Sequence, residues 1–160
     1  MRIVLIGAYG YTGKLICEEF KNHSIKFSIA GKNEGELVAL QSRNSQIENY
    51  YVSDLRKSKD IEALLGCVDL IINCAGPFTE ESSLFLEKVS VSGKNYLDIT
   101  GEVGFVKKSK EIFHSKAIES NSLIVHSVAF ESMITDLILQ IIPMKEEKPV
   151  IKIYYRFNQK

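Results

Sequence analysis

The residues best suited to chemistry come early in the chain. Gly7-Ala8-Tyr9-Gly10-Tyr11-Thr12-Gly13 spaces three glycines by threes, immediately after an apolar run and immediately before a helical pattern. Without a Cβ, such glycines permit a tight turn, let the backbone approach a pyrophosphate and let helix and strand pack closely. The helix N-terminus adds unpaired N–H groups and the positive end of its dipole. The spacing is GxxGxxG rather than GxGxxG. A plain strand-to-helix turn would use fewer glycines, so Gly7, Gly10, Tyr11, Thr12 and Gly13 are the expected cradle of a dinucleotide pyrophosphate.

Which dinucleotide is decided where the second strand ends. An Asp or Glu there would hold a ribose 2′-hydroxyl and repel a 2′-phosphate; this chain has Ala30-Gly31-Lys32-Asn33 instead. Lys32 can meet a 2′-phosphate as a point charge and Asn33 can donate to the same group, so the expected cofactor is NADP rather than NAD. After the third strand, Asp54 can accept from an adenine amino group, although Asp is also an ordinary turn residue. Asn73-Cys74-Ala75-Gly76-Pro77-Phe78 closes the fourth strand at the carboxyl edge, where open α/β sheets bind ligands. Cys74, Ala75, Gly76 and Pro77 are small enough to leave room there for a nicotinamide.

No catalytic acid or base is assigned from the sequence. Cys74 reads better as a small hydrophobe than as a thiolate nucleophile. His23, His114 and His126 have no carboxylate or cysteine at ligand spacing and read as structural or solvated, so no metal site is expected. Asp98 reads as a buried acceptor and Glu102 as an acid favoured in a first helical turn, with a substrate role as the alternative for both. None of the seven tyrosines is followed four residues later by lysine, so the Tyr-Lys proton-transfer pair of the short-chain dehydrogenases is missing.

These motifs need a scaffold that brings them to one edge. Strand-like runs over residues 2–6, 26–30, 47–52, 68–73, 95–99 and 123–128 alternate with helical patterns over 12–21, 34–41, 59–65, 80–91, 102–120 and 132–142. That alternation predicts an α/β fold, a doubly wound parallel sheet of about six strands. After Pro143 and the charged stretch 145–148, Val150 to Phe157 alternates like a further strand. Residues 1–144 are therefore expected to form a dinucleotide-binding domain, and 145–160 a linker and the first strand of an incomplete second domain. An unpaired strand is a template for pairing, so residues 149–157 are the expected contact with a second copy or a partner chain.

Composition sets the remaining bounds. The chain has 160 residues, twenty Lys+Arg against twenty Asp+Glu, 45% apolar and 25% charged content, which is ordinary for one globular domain. It excludes a disordered chain and a nucleic-acid surface driven by bulk charge, so phosphate must be met by local groups. Cys17, Cys67 and Cys74 are odd in number and fit no metal-ligand spacing. With no signal-like segment and no apolar run near the length of a membrane span, a cytoplasmic chain with a small-molecule substrate is expected.

With Gly7-x-x-Gly10-Tyr-Thr-Gly13, Ala30-Gly31-Lys32-Asn33, Asn73-Cys74-Ala75-Gly76-Pro77-Phe78, Tyr96-Leu97-Asp98-Ile99-Thr100-Gly101-Glu102 and Phe130-Glu131-Ser132 in order, the sequence resembles the saccharopine dehydrogenase-like oxidoreductases, a group that includes the trans-acting enoyl reductases. The likeness covers about residues 1–142. It implies a Rossmann domain for NAD(P), and a second α/β domain beyond it. The chain departs from the family's pattern at Ala129 and Ile134, where a glycine and a proline are usual, and at Ser82-Ser83-Leu84, where Gly-Glu-Pro is typical. Cofactor binding is thus expected to be better preserved than turnover. The leading expectation is an NADP-dependent oxidoreductase moving hydride between nicotinamide and a carbonyl, imine or activated alkene. The alternative is a nucleotide-binding module without catalysis of its own, and semialdehyde dehydrogenase-like chemistry at Cys74 would lack its catalytic histidine and substrate domain.

Overall fold

Val4, Leu5 and Ile6 are buried without a polar residue among them, as a strand must be when both faces of its sheet are covered. In the computed structural model, which describes residues 1–79, 83–141 and 154, these residues lie in β1 (Ile3–Ile6). The chain continues through α1 (Tyr11–Asn22), β2 (Phe27–Gly31), α2 (Glu34–Arg43), β3 (Ile47–Val52) and α3 (Ser58–Cys67). The second half runs through β4 (Leu70–Asn73), α4 (Ser83–Ser90), β5 (Asn95–Asp98), α5 (Val103–Ser120) and β6 (Ile124–Val125). The strands form one sheet in the order β3-β2-β1-β4-β5-β6, and each neighbouring pair is parallel. This is the doubly wound order, with the reversal between β1 and β4.

Side-chain alternation along the strands sorts the core into two layers. Leu5, Phe27 and Ile29 pack with Cys17 of α1 and Leu37 of α2 on one face. Val4, Ile6 and Ile71 pack on the other with Ile61 and Leu64 of α3, Phe85 and Leu86 of α4 and Phe113 of α5. The register pairs Ile3 with Leu70 and Ile6 with Asn73, so the loops leaving β1 and β4 start side by side.

Two strands are shorter than their sequence suggests. Val68 is buried but has no strand partner; it ends α3 in an extended conformation, and β4 begins at Leu70. β6 stops at Val125 because the chain turns at Ser127, at φ 58°, where Ser127 N donates to Asp98 Oδ1 at 3.1 Å and Val128 N to Asp98 O at 2.7 Å.

The compact unit Met1–Val128 holds all of this, and a second unit begins at Ala129. Its described helix, α6 (Phe130–Ile141), carries Met133, Ile134, Leu137, Ile138 and Ile141. The strand expected over 150–157 lies outside the described residues, Tyr154 apart. Among the described residues no helix is long and apolar enough to cross a membrane.

Candidate functional site

The glycines of the first loop have three different jobs. Gly7 adopts φ +77°, and a Cβ there would stand 2.9 Å from Ala75 N, so the loops after β1 and β4 meet backbone to backbone. Gly13 lies in the first turn of α1, where a Cβ would come within 2.2 Å of Gly7 O and 2.7 Å of Ala8 Cα. Its absence lets the helix rest on the loop. Gly10 differs: a Cβ would meet only Gly7 O, at 3.2 Å, and the residue is exposed. Gly10 is also the N-cap of α1 and gives it no side-chain hydrogen bond, which leaves the leading N–H groups of the helix without a side-chain partner.

A cavity of about 440 Å³ opens at this edge, lined by Gly7, Tyr9, Gly10, Gly31 and Lys32, by Ser53 to Arg56, and by Asn73 to Pro77, among others. The size falls within the range of small-molecule and cofactor pockets. Of the positions singled out from the sequence, Gly7, Gly10, Lys32, Asp54, Cys74, Ala75, Gly76 and Pro77 line it. Tyr11, Thr12 and Gly13 form the first turn of α1, and Tyr11 is largely exposed. Asn33 is the N-cap of α2, its side chain accepting from Glu36 N at 3.3 Å. Tyr9, which the motif reading passed over, packs its ring against Gly31, whose absent Cβ would lie 2.8 Å from Tyr9 Cε1.

At the lip beyond β3, Asp54 is held by Arg56 in a two-point pair, Nε to Oδ1 at 3.0 Å and Nη2 to Oδ2 at 2.8 Å. The Arg56 hydrogen bonds, with Lys32 nearby as a smaller influence, hold the Asp54 carboxyl well below the usual carboxylate range.

The other side of the edge is largely buried and hydrogen-bonded. Asn73 Oδ1 accepts from Ala75 N at 3.0 Å, and its Nδ2 donates to the Tyr96 hydroxyl at 3.1 Å. Burial, then the Asp98 charge, pushes the Tyr96 phenol well above the ordinary value. Asp98 Oδ1 accepts from Thr100 N and Ser127 N, both at 3.1 Å, while Oδ2 meets His126 Nδ1 at 2.6 Å. His126 Nε2 then meets Ser109 Oγ at 2.9 Å. No spacing rule could have found the Asp98–His126 pair, which is 28 residues apart and is made by the β5–β6 pairing. Burial pushes the Cys74 thiol up to about 11, with Asp98 adding to it, which keeps it protonated and unsuited to attack. Among the described residues no three His, Cys, Asp or Glu side chains are grouped to hold a metal ion.

A bare helix N-terminus and a glycine backbone on one side of the cavity, cations on another and small residues on a third fit a dinucleotide that carries a pyrophosphate and one further phosphate. Comparison with known proteins gives the same direction. The family model for the saccharopine dehydrogenase NADP binding domain matches residues 3–129. A trans-acting enoyl reductase of Mycobacterium leprae is 29% identical over 140 residues, covering 84% of this chain and 34% of the relative. One from Mycobacterium tuberculosis is 25% identical over the same length and covers the same shares. Among solved structures, apo saccharopine dehydrogenase (L-Glu forming) from Saccharomyces cerevisiae superposes with TM-score 0.70 at 11% identity, over 86% of this chain and 29% of that one. A short-chain dehydrogenase/reductase from Vibrio parahaemolyticus gives 0.59 at 14% identity, over 78% and 76%. These likenesses show the Rossmann-type fold, and the chain spans about a third of the length of the curated relatives it matches.

Proposed function

The chain belongs to the saccharopine dehydrogenase NADP-binding domain family, and from that premise we propose that it is the cofactor-holding part of an NADP-dependent oxidoreductase acting on a carbonyl, imine or activated alkene. The observation that carries the reading is the cavity itself: a glycine loop and Lys32 line one space, and β2 ends in Gly31 with no acid to repel a 2′-phosphate. The bound cofactor would supply hydride from its nicotinamide. Gly7, Gly10, Tyr11, Thr12 and Gly13 would hold the pyrophosphate through backbone N–H groups and the α1 dipole. Lys32 would pair with the 2′-phosphate, while Asn33, whose carbonyl oxygen caps α2, would contribute at most its amide donor. Cys74, Ala75, Gly76 and Pro77 would border the nicotinamide half, with Asn73 fixing Ala75 from behind. Substrate selection belongs to the whole protein, of which the relatives carry about twice as much again beyond the matched part. We place it in the cytoplasm, where NADPH is at hand, and any pairing through residues 149–157 would add to this role rather than replace it.

Fluorescence titration of NADPH and NADH against the chain tests the reading. NADPH should bind more tightly, and Lys32→Asp should reverse the order. Losing one charge-assisted phosphate contact corresponds to roughly 10- to 150-fold in affinity. Equal affinities for the two nucleotides in the unmodified chain would sink the NADP assignment.

A further inference from the structure

The turn after β3 is the part of the cavity that the sequence motifs explain least. Among the described residues, the Ser53 hydroxyl is the buried side-chain polar atom left without a hydrogen-bond partner. Ser53 is 4% exposed, lines the cavity, and is fixed against the end of β2 by its N–H, which donates to Gly31 O at 2.9 Å. A buried hydroxyl with no partner is destabilising and uncommon, and at a cavity wall a ligand can complete it.

Arg56 stands close by on the same turn. Both Asp54 oxygens grip its side chain, and Asp54 Oδ1 also accepts from Arg56 N at 3.1 Å. Asp54 N donates to Asp60 Oδ2 at 3.0 Å, which ties the turn to the start of α3. The Asp54 side chain is 15% exposed and that of Arg56 61%, so the carboxylate is the more buried partner of the pair and the arginine the more exposed one. Lys32 lines the same cavity. A guanidinium fork matches phosphate oxygens in a way that an ammonium does not.

We propose that Ser53 and Arg56 read the adenosine end of the cofactor: the Ser53 hydroxyl hydrogen-bonds the adenosine common to NADP and NAD, and Arg56, aimed by Asp54, is the second cation beside Lys32 for the 2′-phosphate. This deepens the NADP reading and rests on it. Asp54 is then a positioning residue for Arg56 rather than the partner of an adenine amino group.

Titrations of the full chain with NADPH, NADH, adenosine 2′,5′-bisphosphate and AMP test both residues. Arg56→Ala should weaken the two 2′-phosphorylated probes about tenfold and leave the other two within about twofold, while Arg56→Lys restores only part. Ser53→Ala should weaken all four alike, by roughly three- to tenfold, with a melting temperature, measured without nucleotide, equal to or above that of the parent. That last readout separates binding from structure, since a structural hydroxyl would lower the melting temperature and leave affinity alone. An unchanged ratio of NADPH to NADH affinity in Arg56→Ala, or unchanged affinities in Ser53→Ala, overturns the corresponding assignment while the NADP reading stands. A parent chain that binds none of the four probes sinks the NADP reading and this proposal with it.

Discussion

The two sides of the site are built in opposite ways. Around the ends of β1, β2 and β3, polar groups have capacity left over: the start of α1 has no side-chain cap, Lys32 is exposed, and the Ser53 hydroxyl is buried without a partner. Around the ends of β4, β5 and β6, the side chains of Asn73, Tyr96, Asp98, His126 and Ser109 each have a hydrogen-bond partner among themselves. In a low-dielectric interior a satisfied network is rigid, whereas an unsatisfied group gains free energy when a ligand arrives. Unanswered polar capacity is therefore concentrated on the β1–β3 side, while on the β4–β6 side the hydrogen bonds hold backbone in place.

The strongest way to break that contrast is to empty the hub of the satisfied side. Asp98→Ala leaves Thr100 N, Ser127 N and His126 facing a space with no acceptor, and should lower unfolding stability by about 3–5 kcal/mol, with Asp98→Asn losing clearly less. Urea denaturation measures both. If Asp98→Ala unfolds at the parent's midpoint, the network holds nothing.

A smaller but more selective effect is expected on the open side. Gly10→Val places its side chain where only Gly7 O stands near, so it should weaken NADPH about a hundredfold by occupying the pyrophosphate's space, with little change in melting temperature. Gly13→Val, which must collide with Gly7 O and Ala8, should lose fold and binding together. Thermal melts and titrations on the two variants distinguish a loop shaped for a ligand from a loop shaped for packing.

The mildest test uses pH. Cys17 and Cys74 both have thiols raised to about 11, in each case chiefly by burial, from an ordinary value of 9.0. A raised value favours the protonated thiol in the folded state, so this contribution is fully present below pH 9 and is lost as pH climbs toward 11. Melting temperature should fall across that window, and less steeply in a Cys17→Ala, Cys74→Ala chain. An identical slope in the double variant would assign the alkaline loss to other groups.

What could be read from the sequence follows the same division. The glycine loop, the acid-free end of β2 and the small residues after β4 are local patterns, and the structure brings Gly7, Gly10, Lys32 and Ala75 to one cavity. The partners of Asp98 and Asn73 could not be read, because they depend on strands and helices meeting across the sheet. The pairing of Arg56 with Asp54 could not be read either, because it is visible only in side-chain geometry. Val68 misled because apolar burial looks alike whether a residue pairs in a sheet or ends a helix, and β6 because a serine at positive φ has no sequence signature comparable to glycine's.

The register of β1 against β4 has one more consequence, for the order in which the chain can assemble. Ile6 lies beside Asn73, and the glycine loop that follows β1 is braced by Ala75. A motif synthesised before β4 thus leans on that later strand, and loop closure over that distance must precede the contact that rewards it. β1 and β2 can pair sooner, but the cradle at the head of α1 acquires its final shape only when β4 slots in beside β1. On the proposed function, nucleotide capture by the nascent chain should accordingly come late, and a probe of bound NADPH should report on the closing of the sheet's centre rather than on the first βαβ unit.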